Sequence, residues 1–358
     1  MKKMTQVKKI IKYPSTVQFR NVVKSINERT AFIGLDEDGK AMYDPSIKKP
    51  TLTFRGTVKL HGTNAGVSYN NVHGMWAQSK EQIITIASDN AAFAFHAHSN
   101  EDFFVRSLKA FADDNGIDLD VNTITVYGEW SGPGIQKGMG ISHLPEKALF
   151  VFGVKISKPG DEEFKSYWID ASDFPVSPEN RVYNIHDFQT YEIEVDFNRP
   201  DLAQNKMIDI MLEVERECPV AREFGHIGIG EGNVWTVEFK GETYRFKVKG
   251  EKHAGTSKVK TLKPVDNEKL NKIHEIVNKV TPAWRFDQML TESCDLNNGG
   301  NIDRAKLGDY LRMVINDVMK EEMDIISEAG LEPKDINKHI SQVAREYFFD
   351  REREDLGV

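Results

Sequence analysis

The run Thr51-Leu52-Thr53-Phe54-Arg55-Gly56-Thr57-Val58 is dense in β-branched residues and leads into Lys59-Leu60-His61-Gly62-Thr63-Asn64. β-Branched side chains suit an extended, pleated backbone, and a glycine just beyond them suits a tight turn. The sequence therefore predicts a strand that delivers Lys59 to a turn. That placement constrains the chemistry as well as the fold. A lysine held there can be desolvated, lose its proton and attack a phosphorus atom as a neutral amine. A Lys-x-x-Gly string alone is a plain turn in most chains, so its weight rests on four segments further along.

The bulk properties set limits. A chain of 358 residues can form two ordinary domains with a well-buried core. With 39% hydrophobic and 28% charged residues it reads as globular, not disordered. No apolar run approaches the ~20 residues needed to cross a bilayer, so no membrane association is expected. The basic start, Met1 to Ile10, lacks an apolar segment after it and does not read as a secretory leader. Cys218 and Cys294 are too few and too far apart for a disulfide framework or a zinc knuckle. Reduced thiols and a cytoplasmic location are expected. The net charge of −8 argues against a uniformly cationic surface but not against a local basic groove. One such cluster runs from Lys247 to Lys263, with Lys247, Lys249, Lys252, Lys258, Lys260 and Lys263 against the single acid Glu251.

Residues 51 to 80 read as β-hairpin material, and 100 to 116 as a helix with Phe103, Phe104, Leu108 and Phe111 at helical spacing. Segments 121 to 130 and 148 to 156 read as buried strands, and 200 to 218 as an amphipathic helix opened by proline. Residues 233 to 249 read as two strands joined at Lys240-Gly241-Glu242. After Pro264 the texture becomes helical, over 268 to 279, 302 to 329 and 333 to 349, with Asp335 in the first turn of the last helix. A boundary is expected there, with domains at 1–264 and 265–358. Asp295 to Asn301 has a passing likeness to a calcium loop, but Lys306 stands where an oxygen ligand is needed, so a glycine-rich turn is the better reading. His96 and His98 have no second pair of ligands and read as structural. Tyr13-Pro14-Ser15-Thr16 carries no chemistry that can be assigned from sequence.

Five segments occur in a fixed order: Lys59-Leu60-His61-Gly62, Gln78-Ser79-Lys80, Tyr127-Gly128-Glu129-Trp130, Glu231-Gly232-Asn233-Val234-Trp235 and Lys247-Val248-Lys249-Gly250. They resemble motifs I, Ia, III, IV and V of the covalent nucleotidyltransferases, which include ATP-dependent DNA ligases, RNA ligases and mRNA capping enzymes. His61-Gly62-Thr63-Asn64 and the tail Gly132-Pro133-Gly134-Ile135-Gln136-Lys137 resemble the RNA ligase 2 branch, and the block after Lys247 resembles its phage members. The resemblance spans residues 51 to 263. It implies an α+β fold, with an antiparallel-sheet nucleotidyltransferase domain followed by a small all-helical C-terminal domain.

The residue types fit that chemistry. Lys59 is the expected nucleophile, forming a phosphoramidate with AMP and releasing pyrophosphate. Its ammonium form cannot attack, so nearby cations or a metal must favour the neutral amine. Lys247 and Lys249, two apart on a strand, share a face and could bind the α-phosphate together while charge builds on pyrophosphate. Glu129 and Glu231 suit a divalent cation or the ribose hydroxyls; the resemblance gives Glu129 the ribose and Glu231 the metal site. Mg²⁺ or Mn²⁺ is expected, held by few carboxylates and by phosphate oxygens. Lys80 stands where relatives often carry arginine, and supplies a point charge instead of a bidentate fork. His61, Gly62 and Asn64 belong to the nucleotide-binding turn. Phe152 is the expected stacking partner of adenine, one of Phe150 and Phe152 being core. Gly153 follows it where some relatives carry aspartate, so any role of that acid is absent or supplied elsewhere.

The reading is an ATP-dependent RNA ligase. It would adenylylate Lys59, pass AMP to an RNA 5′-phosphate, and seal that end to a 3′-hydroxyl. Its partner is RNA, in a nicked duplex or an RNA–DNA hybrid, and a monomer is expected. A DNA ligase or capping enzyme usually adds a β-barrel after the fifth motif, where this chain turns helical. A catalytically silent RNA- or nucleotide-binding relative would be expected to have lost at least one of Lys59, Glu129, Glu231, Lys247 and Lys249.

Overall fold

The strand expected over 51–58 forms, and it ends on the lysine. The computed structural model describes residues 8–44, 46–158, 164–250 and 262–356. The chain divides into two compact units. The first comprises Met1–Val22, Leu52–Val195 and Asn205–Lys263; the second comprises Val23–Thr51, Asp196–Gln204 and Pro264–Val358. Helix α1 (Phe19–Ala31) is followed by a short antiparallel pair, β1 (Phe32–Leu35) and β2 (Ala41–Tyr43).

In the first unit, β3 (Thr51–Lys59) belongs to a four-stranded sheet, whereas β4 (Thr63–Asn70) begins a second, larger sheet. Only the later part of the expected 51–80 hairpin is therefore a hairpin, β4 with β5 (Gly74–Ser79). The larger sheet continues with β6 (Ile83–Ile84) at one edge and, on the other side of β4, β7 (Thr123–Ser131), β8 (Ala148–Ser157), β9 (Tyr167–Ile169) and β10 (Val182–Asn184). Its pairs are antiparallel except β8 with β10. The smaller sheet has the order β11 (Thr190–Asp196), β3, β12 (Gly232–Phe239), β13 (Glu242–Lys249). The turn between β12 and β13 is Lys240-Gly241, with φ of 47° and 74°, both in the left-handed region that a tight two-residue hairpin requires.

Helices α2 (Phe93–Ser99) and α3 (Glu101–Asp114) contribute to the core of the larger sheet. Phe104, Leu108 and Phe111 are buried at the expected spacing, each burial stabilising by about 1.5–3 kcal/mol. His96 is core too: its ring lies 4.6 Å from that of Trp130, and it is 2% exposed. Helices α4 (Gln204–Arg216) and α5 (Pro219–Glu223) complete the unit's helices. The proline-opened helix starts with a tighter turn over Pro200–Ala203.

The second unit is dominated by α6 (Asn267–Val280), α7 (Ala283–Ser293), α8 (Leu307–Glu321), α9 (Met323–Glu328) and α10 (Pro333–Leu356). The helix expected over 302–329 is split at Glu322, whose carboxylate accepts from the buried Arg285 at 2.6 Å. Asp335 accepts the Glu332 amide and pairs with Lys269. Residues 295–301 form the expected glycine-rich turn. No helix among the described residues is long and apolar enough to cross a membrane.

His274 of α6 and His339 of α10 meet edge to face at 5.1 Å. Burial holds both below the usual histidine value; Arg199 adds to the effect on His274, and His274 and Lys338 add to it on His339. Asp196 and Asp201 oppose the shift on His274, and Asp201 opposes it on His339. The unfolded chain therefore takes up these protons more readily than the folded one. Stability from the pair is present above the unfolded value of about 6.5 and declines as pH falls below it. The melting temperature should drop between pH 7 and 5, and His339→Gln should make that drop smaller. An equal drop in the variant would remove the pair as its cause.

Candidate active site

The chain leaves one sheet at Lys59 and enters the other at Thr63, so Leu60-His61-Gly62 forms the crossing between them. Gly62 allows the crossing because a Cβ there would collide with Ser131 Oγ and the Trp130 carbonyl. Its amide donates to Glu129 Oε1 at 2.9 Å, tying the first motif to the third. Within the smaller sheet, Gly232 lies opposite Lys59 on one side and Lys249 on the other. Cross-strand partners share a face, so the two lysines flank a position that has no side chain of its own.

Both lysines converge on Glu231, the residue before that glycine. Lys59 Nζ lies 2.7 Å from Glu231 Oε2, and Lys249 Nζ contacts Oε1. His61 Nδ1 lies 3.2 Å from Oε2. Glu231 is 2% exposed, so this carboxylate is almost wholly served by protein cations. Burial alone would raise its pKa. The His61 hydrogen bond, the Lys59 charge and the Lys249 hydrogen bond outweigh that, and hold the carboxyl well below the usual carboxylate range. Burial pushes Glu129 the other way, above its usual value, with Lys59 opposing and Glu231 adding to the rise. Two neighbouring carboxylates are thus set apart by their surroundings. Burial, together with the charges of Lys249 and Lys59, lowers Lys247.

A cavity of about 290 Å³ opens beside this cluster. Lys59, Asn64, Lys80, Glu129, Phe152 and Lys247 all line it. The sequence-predicted residues therefore come together: Lys59, His61, Glu231 and Lys249 in direct contact, Gly62 bonded to Glu129, and the rest around one space. Lys80 is exposed at its edge, 3.7 Å from Glu81. Phe150 is fully buried and stacks on Tyr183 at 5.5 Å, although it also reaches the lining. Phe152 differs because Gly128 pairs with Val151 while Tyr127 pairs with Gly153. Phe152 is thus the extra residue of a β-bulge, a device that re-aims a side chain. Lys252, Lys258 and Lys260 of the basic block, with Glu251, lie outside the described residues.

Tyr13, His186, Thr236 and Arg245 are among the lining residues given no site role from sequence. Arg245 had a signal, since it continues the alternation of Lys249 and Lys247 along β13. Tyr13 had none. Its segment reaches the site because Ile11 exchanges hydrogen bonds with the Gln78 amide and accepts another from the Tyr127 hydroxyl. Its ring then meets Phe152, Tyr127 and Trp168 edge-on at 5.2–5.3 Å.

Among the described residues no group of three or more His, Cys, Asp or Glu could cage a metal ion. Glu129 and Glu231 are close enough to affect each other's charge. They fit a cation carried mainly by phosphate oxygens and waters, the manner in which Mg²⁺ is usually held. The arrangement can therefore bind an anionic nucleotide beside an amine.

No curated protein matches the chain. Among solved structures, Naegleria gruberi RNA ligase with pyrophosphate aligns with 14% identity and a TM-score of 0.38, over 70% of this chain and 58% of that one. A mutant of the same enzyme with AMP and Mn aligns with 14% identity and a TM-score of 0.39, over the same shares. The alignments thus span less than two thirds of those chains. The RNA ligase family model matches residues 52–249, over half of this chain, from before the first motif to Lys249 of the fifth. The chain belongs to the RNA ligase family.

Proposed function

We propose that the protein is an ATP-dependent ligase, of the RNA ligase 2 type found in phages, that joins RNA 5′-phosphate and 3′-hydroxyl ends. The observation that carries this reading is the convergence of Lys59, His61 and Lys249 on the buried Glu231, beside a cavity lined by Lys59 and Phe152. Lys59 Nζ attacks the α-phosphorus of ATP; the N–P bond forms as the bond to pyrophosphate breaks. In the resting arrangement Lys59 is ion-paired with Glu231, so nucleotide binding has to loosen that pair before the amine can attack. Lys247 and Lys249 stabilise the departing charge. Glu129 holds the ribose, Asn64 and the Gly62 turn shape the pocket, and Lys80 at its edge meets the 5′-phosphate strand. Bound Mg²⁺ or Mn²⁺ would withdraw charge from the phosphates, with Glu231 and Glu129 as its protein ligands.

In the second step the RNA 5′-phosphate displaces Lys59 from AMP. In the third, a 3′-hydroxyl displaces AMP and the phosphodiester forms. We assign residues 1–264 to catalysis and 265–358 to contact with the nucleic acid, and take the working form as a cytoplasmic monomer. The experiment is ATP-dependent joining of a 5′-labelled strand, on nicked duplex RNA, on a nicked RNA–DNA hybrid, on nicked duplex DNA and on single RNA strands. Sealing of the nicked RNA and hybrid substrates, with an RNA-adenylate appearing when the 3′-hydroxyl is removed, is expected. Sealing of DNA nicks alone would overturn the assignment to RNA.

A further inference from the structure

The four-stranded sheet presents its cavity face in rows. Lys59, Gly232 and Lys249 form one row, Thr57, Val234 and Lys247 the next, and Arg55, Thr236 and Arg245 the third. Arg245 is thus four residues from the nucleophile's row, about 13 Å along a strand. A nucleotide with its α-phosphate at Lys59 and its base toward Phe152 extends toward that third row.

The guanidinium carbon of Arg245 lies over Trp168, 4.1 Å from the ring centroid. Trp168 can sit there because residue 153 is glycine: a Cβ at Gly153 would come within 3.2 Å of the indole. The aspartate that some relatives carry at this position would disturb the platform. Tyr13 packs edge-on against the same indole at 5.2 Å. Glu238 and the Tyr13 hydroxyl act on Arg245 only through space, and burial lowers its pKa. Among the described residues the Arg245 guanidinium makes neither a hydrogen bond nor an ion pair with the protein. A planar fork of five donors is therefore held rigidly, partly desolvated and without a protein acceptor, on the wall of the cavity. His186, on the same wall, also has a buried Nδ1 with no hydrogen-bond partner.

Resting on the ligase reading, we infer that Arg245 is a specificity-determining residue that donates a hydrogen bond to a ring nitrogen of the bound purine. A donor-only group needs an acceptor, and the acceptors at that end of the nucleotide are the base nitrogens. Trp168 is its positioning residue.

The test measures the rate of Lys59 adenylylation against nucleotide concentration, for ATP and for 1-, 3- and 7-deaza-ATP. Wild type is compared with Arg245→Met, Arg245→Lys and Trp168→Leu, each checked for folding by circular dichroism. Arg245→Met should raise the half-saturating ATP concentration about tenfold, the size of a charge-assisted hydrogen bond, and leave the saturated rate within about twofold. One deaza analogue should bind wild type about tenfold more weakly than ATP, and Arg245→Met should no longer distinguish that analogue from ATP. Arg245→Lys should recover only part of the loss, and Trp168→Leu should give an intermediate one. Unchanged discrimination among the four nucleotides in Arg245→Met would overturn the inference, as would a lower saturated rate at unchanged half-saturation. Failure of wild type to label with any nucleotide, after pretreatment with pyrophosphate to discharge bound AMP, would instead overturn the ligase reading, and this inference with it.

Discussion

Lys59→Ala is expected to abolish transfer of label from α-labelled ATP to the chain, with no residual signal on a denaturing gel. A covalent nucleophile has no substitute: of the other lysines at the site, Lys247 and Lys249 stand across the sheet on β13 and Lys80 lies at the cavity edge, none of them at the crossing. The variant should still fold, because Glu231 keeps Lys249 and His61 as partners. Lys59→Arg separates charge from chemistry. It can keep the ion pair with Glu231, but a guanidinium does not deprotonate in proteins, so it too should remain unlabelled. If wild type fails to label, pretreatment with pyrophosphate would discharge enzyme that was purified already adenylylated. Labelling of Lys59→Ala at the wild-type level would remove Lys59 from the mechanism and make a nucleotide-binding role the leading account.

The parts of this site that were legible in the sequence are those where local pattern and chemistry coincide. Lys59 closes a β-branched strand, and Lys247 and Lys249 sit two apart on a strand whose alternation is plain. Glu129 is the only charged residue in the strand Thr123 to Ser131. A carboxylate set in an otherwise uncharged central strand signals a site. A mixed strand-and-helix first domain and the change to helix after Pro264 followed from the same patterns, whereas the antiparallel-sheet fold class rested on the family resemblance.

What stayed hidden depends on tertiary placement. Periodicity over 51–80 does not reveal that the chain changes sheets at Leu60–Gly62, because both strands alternate in the same way. The bulge at Phe152 depends on pairing with β7 and so has no local signature. The role of Gly153 as clearance for Trp168 appears only once β9 is laid against β8. Tyr13 reaches the cavity through the backbone of Ile11, and backbone groups are the same for every residue. Likewise, residues 23–51 and 196–204 join the second unit through contacts remote in sequence.

Glu231→Gln should be the most damaging change that leaves Lys59 itself in place. The buried carboxylate balances Lys59, Lys249 and His61; a neutral amide leaves those groups crowded and uncompensated. Removing one member of a buried ionic cluster costs about 3–5 kcal/mol. The lysines here can swing partly into solvent, being 19% and 21% exposed, so the loss should fall toward the low end of that range. Adenylylation should fall by at least about 100-fold, the usual scale when a charged group at the reacting centre is lost. The pH dependence identifies the cause. Because the cations hold Glu231 below its unfolded value, its stabilisation is fully present above about pH 4.3 and is lost as pH falls further, toward the folded-state value. The melting-temperature gap between wild type and Glu231→Gln should therefore stay constant from pH 7 to 5 and narrow below about pH 4.3. A gap of the same size at pH 3 would mean that Glu231 stabilises the site through packing and not through charge. In that case Lys59 and Lys249 would be held in place by the backbone alone, and Glu231 would matter only once a nucleotide is bound.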